Sequence, residues 1–186
     1  RLEAEALRDA MLCVAEELDT QMTGSLLHVK NRSFFFDHTS KDETRYDVSR
    51  RSVYLPVVRN HLYDVFTLFD YTDASVMTGD RATTTIAPQA LFLLNSDLVE
   101  RVSRKLAHSA LDNSAKPADS TDGNDLRINR LYERLFGRLA SSTDIQHANR
   151  FLVQVRQTLP DDSRPIDAWA ALCHVLLASN EFIYLK

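Results

Sequence analysis

The sequence lacks an apolar run long enough to cross a membrane, since a transmembrane helix needs about 20 consecutive apolar residues. Its longest candidate, residues 169–178, contains His174 and is predicted to be a buried helix. The formal net charge of -4 also leaves no excess of basic residues, which a nucleic-acid binder needs to neutralise phosphates. We therefore expect neither membrane insertion nor a nucleic-acid partner.

Cysteine is scarce as well, with only Cys13 and Cys173 in 186 residues. Ala170 stands three residues before Cys173, so Cys173 and His174 do not form a c-type haem attachment motif. Both cysteines fall on the apolar sides of predicted helices, which favours two buried free thiols. The alternative is a disulfide between Cys13 and Cys173, which in an exported protein would close almost the whole chain.

Catalytic and metal-binding motifs are also missing. The six histidines lack the paired spacing and neighbouring glutamate of a metalloprotease helix. The acidic stretch 119–125 fits no register of a calcium-binding EF-hand loop, and no serine lies in a nucleophile elbow. We expect no metal or cofactor in this domain and no enzymatic activity from this chain on its own.

Apolar residues recur at helical spacing over most of the chain, so the fold class is predicted to be mainly α. The pattern indicates an irregular multi-helix bundle of about six or seven helices. A small extended or hairpin element is expected before residue 60, because three short runs there are β-branched or aromatic without helical spacing. These runs are 26–29, 33–36 and 52–57.

Turn and cap residues predict where several helices begin. Pro88 suits a first helical turn, where its missing N–H costs nothing. Ser96 is expected to cap a new helix after a break in the apolar stripe. Thr143 and Gln146 have the spacing of a capping box, which predicts another helix start.

The chain length fits one domain or slightly more. Residues 112–125 form the segment whose composition predicts a linker, because Asn, Ser, Asp, Thr and Gly are too polar to form a core. We expect residues 1–111 to form a helical core with long loop insertions. Residues 126–186 are expected to form a C-terminal helical subunit packed on the same core.

A loop rich in hydroxyl groups precedes Pro88 and is the best candidate for a binding site. Guanidinium groups beside hydroxyls and the N–H groups of a helix start can bind a carboxylate, sulfate or phosphate. The structural alternative is that the arginines pair with nearby aspartates and pin the loop to the core, while buried amides bond to loop backbone. The candidate ligand-binding residues are Arg51, Arg59, Arg81, Thr83, Thr84, Thr85, Gln89 and Asn95.

Three aspartates of the same loop region, Asp70, Asp73 and Asp80, are the acidic candidates. Two carboxylates facing one cleft could divide the acid and base roles in hydrolysis of a carbohydrate or a sulfate ester. Aspartates are also common in loops ahead of helices, where they form caps and turns. A hydrolase is therefore the alternative function.

Four segments in order along the chain carry a resemblance to a known family. They are Arg51–Asn60, Thr83–Ser96, Leu131–Arg138 and Leu176–Phe182. Together they resemble the C-terminal domain of unknown function of large planctomycete proteins, which often also carry a c-type haem domain. The resemblance implies part of an exported, periplasmic, multidomain protein in which any haem belongs to another domain. It implies no agreed activity.

From these features we expect an interaction or scaffolding module without catalysis. It would dock on upstream domains of its own polypeptide or bind an anionic extracellular ligand such as a saccharide. Arg51, Arg59 and Arg81 would anchor that contact. Export is implied by the resemblance alone, because the sequence shows no signal peptide.

Overall fold

The computed structural model describes residues 1–22, 24–27, 46–58, 62–73, 76–112, 121–160 and 165–185, with only the backbone at positions 121 and 122. Contacts divide the chain into two compact units. The first unit is Leu2–Ile86, and the second unit is Ala87–Lys186 together with Arg1. Helices dominate the described residues, which confirms the predicted mainly α class.

The first unit contains two α-helices and one turn of 3-10 helix among its described residues. α1 spans Ala4–Val14, the 3-10 helix spans Ser52–Tyr54, and α2 spans Asp64–Leu68. Leu7 and Met11 lie four residues apart on α1 and are both buried, as expected for an amphipathic helix. Val65 and Phe66 supply the buried side of α2.

The prediction that run 52–57 is extended is wrong for residues 52–54, which form the 3-10 helix, whereas the backbone of Leu55 is extended. β-type pairing in the described part of the chain includes a parallel bridge between Asp19 and Arg50. Side chains of α1 hold the 3-10 turn through hydrogen bonds, and a strand would not present the same groups to them. The run 33–36 and part of the run 26–29 lie outside the described residues.

A buried arginine on α1 organises this region. Arg8 donates hydrogen bonds to the backbone carbonyls of Val48 and Arg50, the latter at 2.7 Å. Its neighbour Asp9 accepts the backbone N–H of Ser52 at 2.8 Å and the Ser52 hydroxyl at 2.6 Å. A buried guanidinium is costly unless it is hydrogen-bonded, so these contacts fix the segment around Ser52 against α1.

The second unit contains six α-helices among its described residues. These helices are α3 (Ala87–Asn95), α4 (Asp97–Asp112), α5 (Thr121–Phe136), α6 (Ser142–Thr158), α7 (Pro165–Leu177) and α8 (Asn180–Ile183). α7 supplies the centre of the core, because Trp169, Cys173 and Leu177 have no exposed surface. It packs most extensively on α4 and next on α6.

The described residues thus hold eight α-helices, slightly more than the predicted six or seven. The short α8 accounts for the excess, since its four residues lie in an aromatic tail without a longer helical pattern. Among the described helices, none has both the length and the apolar character needed to cross a bilayer.

The predicted break between α3 and α4 is confirmed. Pro88 lies in the first turn of α3. The hydroxyl of Ser96 accepts the backbone N–H of Val99 at 3.3 Å, which caps the start of α4. Ser96 therefore satisfies one of the backbone N–H groups that have no partner within the first turn of α4.

The observed units differ from the division that the composition predicted. Residues 87–111 group with 126–186, because α4 packs on α7. The predicted linker 112–125 also overlaps α4 at Asp112 and α5 from Thr121 onward, while residues 113–120 lie outside the described part. Polar composition did not prevent helix formation at 121–125, because the first turn of a helix tolerates polar residues.

The capping box of α6 lies two residues earlier than predicted. Ser141 and Asp144 form it, not Thr143 and Gln146. The Ser141 hydroxyl accepts the Asp144 N–H at 3.2 Å, and the Asp144 carboxylate accepts the Ser141 N–H at 2.9 Å. An aspartate at the third helical position performs the reciprocal role usually filled by glutamate or glutamine.

Arg138 connects the start of α6 to α8. Its guanidinium donates to both Glu181 oxygens at 2.6 and 2.8 Å and to Asp144 at 2.9 Å. Burial acts to raise the pKa of Asp144, but hydrogen bonds from Arg138 and Ser141 outweigh it and lower this pKa to about 2. The hydrogen bond to Glu181 raises the pKa of Arg138. Asp144 and Arg138 therefore remain ionised below the ordinary pKa of a carboxyl group.

The packing of α7 predicts a large effect of truncating Leu177. Leu177→Ala should lower the free energy of unfolding by about 2–5 kcal/mol, because it leaves a cavity in a fully buried site. Leu139 is 62% exposed, so the same change there should cost less than about 0.5 kcal/mol. Urea unfolding followed by circular dichroism measures both effects. An equal decrease in the free energy of unfolding in the two variants would contradict this packing.

The Asp144 network predicts part of the acid sensitivity of the fold. A carboxyl whose pKa falls from 3.8 to about 2 on folding stabilises the protein above the higher value, and this contribution disappears as pH falls through the lower one. Asp144→Asn should therefore lose stability less steeply than wild type between about pH 4 and pH 2. Arg138→Gln should flatten the profile similarly, because the guanidinium lowers the pKa of Asp144. Urea unfolding across this range would contradict the assignment if all three profiles had the same slope.

Candidate functional site

Arg81, the central basic candidate, is fastened to α1. Its Nη1 and Nη2 donate to the two carboxylate oxygens of Glu5 at 2.8 and 2.9 Å, and Nη1 also lies 3.1 Å from Glu3. The guanidinium lies over the ring of Tyr71, 5.2 Å from its centre. The hydrogen bond to Glu5 raises the pKa of Arg81. Arg81 therefore pins the loop to Glu5 of α1 and to Glu3 just before this helix, in place of the nearby aspartates.

Asp70 and Thr84 form a second fastening in the same loop. Thr84 donates its backbone N–H to Asp70 Oδ2 and its hydroxyl to Oδ1, both at 2.8 Å. Asp70 has a φ of 60°, in the left-handed region that aspartate tolerates better than most residues. Asp80 accepts the backbone N–H of Arg81 at 2.9 Å. Asp70 and Asp80 therefore shape the loop, and Asp73 is exposed.

The remaining candidates of the first unit are less constrained. The Arg51 side chain is 48% exposed, and its Nε lies 3.8 Å from Asp9. Thr83 and Thr85 are exposed. Arg59 lies outside the described residues. Of the predicted basic anchors, Arg51 retains the most accessible guanidinium in the described part of this unit.

The two amide candidates lie on α3 in the second unit. Gln89 is buried, and Asn95 is exposed. Asn95 donates its side-chain amide to the backbone carbonyl of Leu91 at 2.8 Å. This contact is to the backbone of α3 itself and not to loop backbone, and Asn95 also borders a cleft described below.

Both cysteines are free thiols in the structure. Cys173 is buried, and this burial raises the pKa of its thiol to about 12. It therefore packs as a small neutral side chain. The expectation that Cys13 is also buried is wrong, since it lies on the exposed side of α1, away from the face that carries Leu7 and Met11.

A cleft of about 490 Å³ opens in the second unit beside α7. It lies between the α3–α4 junction, α7 and the residue that follows α6. Its volume falls in the usual range for ligand sites, roughly 300–1,000 Å³. Apolar lining comes from Leu94, Leu159, Ala170 and Ala171, and polar lining comes from Asn95, Ser96, Glu100, Ser103, Arg104, Asp167 and His174.

An ion-pair network crosses this cleft. Arg104 Nε donates to Glu100 at 3.2 Å, and its Nη1 donates to Asp167 at 3.1 Å. Hydrogen bonds to Glu100 and Asp167 raise the pKa of Arg104. The network joins α4 to the first turn of α7, where a carboxylate also complements the helix dipole.

Two further polar groups of the cleft have their hydrogens directed to backbone carbonyls. Ser103 donates its hydroxyl to the carbonyl of Val99 at 2.6 Å. His174 Nε2 lies 2.7 Å from the carbonyl of Leu93, so Nε2 carries the hydrogen of this bond. In the neutral imidazole, Nδ1 is then an acceptor. Ser103 and His174 therefore contribute hydrogen-bond acceptors to the cleft, beside the carboxylates of Glu100 and Asp167.

Of the residues that line this cleft, only Asn95 was among the site residues predicted from the sequence. The four-residue spacing of Glu100 and Arg104 is visible in the sequence and indicates a helix-surface ion pair. Asp167 lies 63 residues beyond Arg104 and signals only a helix start. Among the described residues, no group of three metal-ligating side chains is placed to hold a metal ion.

Comparison with known proteins gives a family without an activity. A family model described as PSD1, Protein of unknown function (DUF1553), matches residues 1–152. This match covers most of the chain and agrees with the family resemblance; it contains three of the four segments that carry the resemblance, and Leu176–Phe182 lies beyond it. No curated protein and no solved structure matches the chain.

The contacts of Arg81 predict that its replacement lowers the stability of the fold but does not change stabilisation by sulfate. Arg81→Ala should lower the free energy of unfolding by about 1 kcal/mol, because a partly exposed two-pronged pair with Glu5 is lost. Glu5→Gln should have a similar effect, and the double variant should be little worse than either single variant. Thermal unfolding with and without sodium sulfate measures both properties. A loss of sulfate-induced stabilisation in Arg81→Ala alone would instead identify Arg81 as a ligand contact.

Proposed function

We propose that this chain, which belongs to the PSD1 family of proteins of unknown function (DUF1553), is a non-catalytic interaction module of a larger exported protein. In this role it docks on the upstream domains of its own polypeptide in the periplasm of a planctomycete. The exposed apolar side chains of α3 carry this proposal. The proposal is also supported by Arg81, Asp70 and Asp80, which form hydrogen bonds within the protein and would otherwise be candidates for binding a ligand.

α3 exposes the side chains that a helix in a folded unit usually buries. Leu91 and Leu94 are 58% and 59% exposed, whereas the polar Gln89 is buried. Val175 on α7 is 51% exposed, and Ala171, one turn before it, lines the same cleft as Leu94. We call Leu91, Leu94 and Val175 the apolar face. Neighbouring exposed apolar side chains of this kind are typical of interaction surfaces.

Docking through the apolar face is favoured over binding of an anionic saccharide. The charge of Arg81 is already matched by Glu5 and Glu3. A ligand anion would have to displace these carboxylates, which are held by hydrogen bonds at 2.8–3.1 Å. Arg51 is the described basic candidate that keeps substantial exposure for such a ligand.

Docking is also favoured over hydrolysis of a carbohydrate or sulfate ester. Both carboxylate oxygens of Asp70 accept hydrogen bonds from Thr84, and Asp80 accepts one from the backbone of Arg81. These bonds give the two aspartates a loop-forming role. We place any haem of the whole protein in another domain, because Cys173 and His174 lack the second cysteine of the attachment motif.

Docking through the apolar face predicts that Leu91→Ser weakens binding of the separately produced upstream region about tenfold, since an apolar contact is lost from the interface. Leu139→Ser is the matched control, because Leu139 is similarly exposed but lies between α5 and α6. Isothermal titration calorimetry measures both affinities.

Two results would contradict the proposal. One is equal affinity of the wild type and the Leu91→Ser variant for the upstream region. The other is a complete coding sequence that contains no region upstream of these residues. Circular dichroism of each variant confirms that the helices remain folded.

A further inference from the structure

The cleft beside α7 carries a net negative charge. Two carboxylates, Glu100 and Asp167, flank the single guanidinium of Arg104. Arg104 donates to Glu100 at 3.2 Å and to Asp167 at 3.1 Å. A cation entering the cleft would meet an excess of one negative charge, whereas an anion would meet repulsion from both carboxylates.

Hydrogen bonding in the cleft favours the same kind of ligand. The Ser103 hydroxyl and His174 Nε2 direct their hydrogens to backbone carbonyls, which leaves acceptor lone pairs on both side chains. An ammonium or a guanidinium group can donate to these acceptors and to the carboxylates of Glu100 and Asp167.

The apolar part of the cleft adds a requirement for a hydrocarbon stem. Leu94, Leu159 and Ala171 line it beside the charged groups. Lysine and arginine side chains combine an apolar stem with a cationic end, so both parts can be satisfied together. The volume of about 490 Å³ leaves room for neighbouring residues of a peptide as well.

We infer that this cleft receives a lysine or arginine side chain from a peptide segment of the docking partner. Leu94 belongs to both the cleft and the apolar face, so one segment can contact both surfaces. The inference rests on the proposed docking function and names the chemistry that the partner presents. The cationic end pairs with Glu100 and Asp167, and the stem packs on Leu94 and Ala171.

The test uses the whole chain and three blocked pentapeptides of identical length, acetyl-Leu-Ala-X-Ala-Leu-amide, in which X is lysine, arginine or norleucine. Norleucine keeps the stem of lysine and removes its charge. The lysine and arginine peptides should shift the NMR signals of Ala171 and His174 and bind at least about fivefold more tightly than the norleucine peptide. Equal affinity for all three peptides would overturn the inference.

Two variants are expected to change the affinity for the lysine peptide in opposite directions, which a purely structural effect of these residues would not do. Glu100→Gln removes an attractive charge and should weaken binding of the lysine peptide about threefold to fivefold. Arg104→Gln removes a repulsive charge and should strengthen the same binding. Weakening by both variants would show loss of cleft structure and overturn the assignment of charge. NMR spectra of each free variant establish whether the fold is retained.

The docking proposal and this inference fail in different ways. Leu139→Ser should leave binding of the lysine peptide unchanged, because Leu139 belongs neither to the cleft nor to the apolar face. If the upstream region fails to bind while the lysine peptide still binds selectively, the docking function is wrong and the cation-binding cleft stands. If the upstream region binds and charge has no effect on peptide affinity, the inference about the cleft is wrong.

Discussion

The burial of α7 against α4 is the constraint on which the second unit depends. Trp169, Cys173 and Leu177 on α7 have no exposed surface, and Val99 and Val102 on α4 are equally buried. This close packing brings Arg104 to 3.1 Å from Asp167 at the margin of the two helices. The cleft beside α7 therefore results from core packing. Its charged side chains lie on α4 and α7, which are both anchored by buried residues.

Arginine–carboxylate pairs perform a complementary task, because they fix segments that have little apolar surface. Arg81 reaches a glutamate 76 residues earlier in the chain, and Arg138 reaches one 43 residues later. In both cases two parallel hydrogen bonds define the orientation of the guanidinium as well as its distance. Such pairs add specificity to the fold even where partial exposure limits their contribution to stability.

The same physical chemistry explains why Arg81, which the sequence predicted to bind an anionic ligand, instead pairs with Glu5 within the protein. A guanidinium recognises a carboxylate side chain and a ligand carboxylate or sulfate with the same geometry. Sequence alone does not show which of these lies opposite Arg81. Apolar exposure on α3 was equally hidden, because Leu91 and Leu94 fit a helical stripe whether it faces a core or a partner. The docking proposal therefore rests on the exposed side chains of α3 and not on the residue types of one loop.

The sequence by itself determined the helical class and the break at Ser96. These features depend on local spacing and capping, which act within a few residues. Only the tertiary structure decided that Glu5 lies opposite Arg81 and that Asp167 lies opposite Arg104. It also decided that the segment around Ser52 forms a 3-10 turn, because Arg8 and Asp9 hold it there. Such partners are distant in sequence, and folding alone determines which of many compatible charges and polar groups meet.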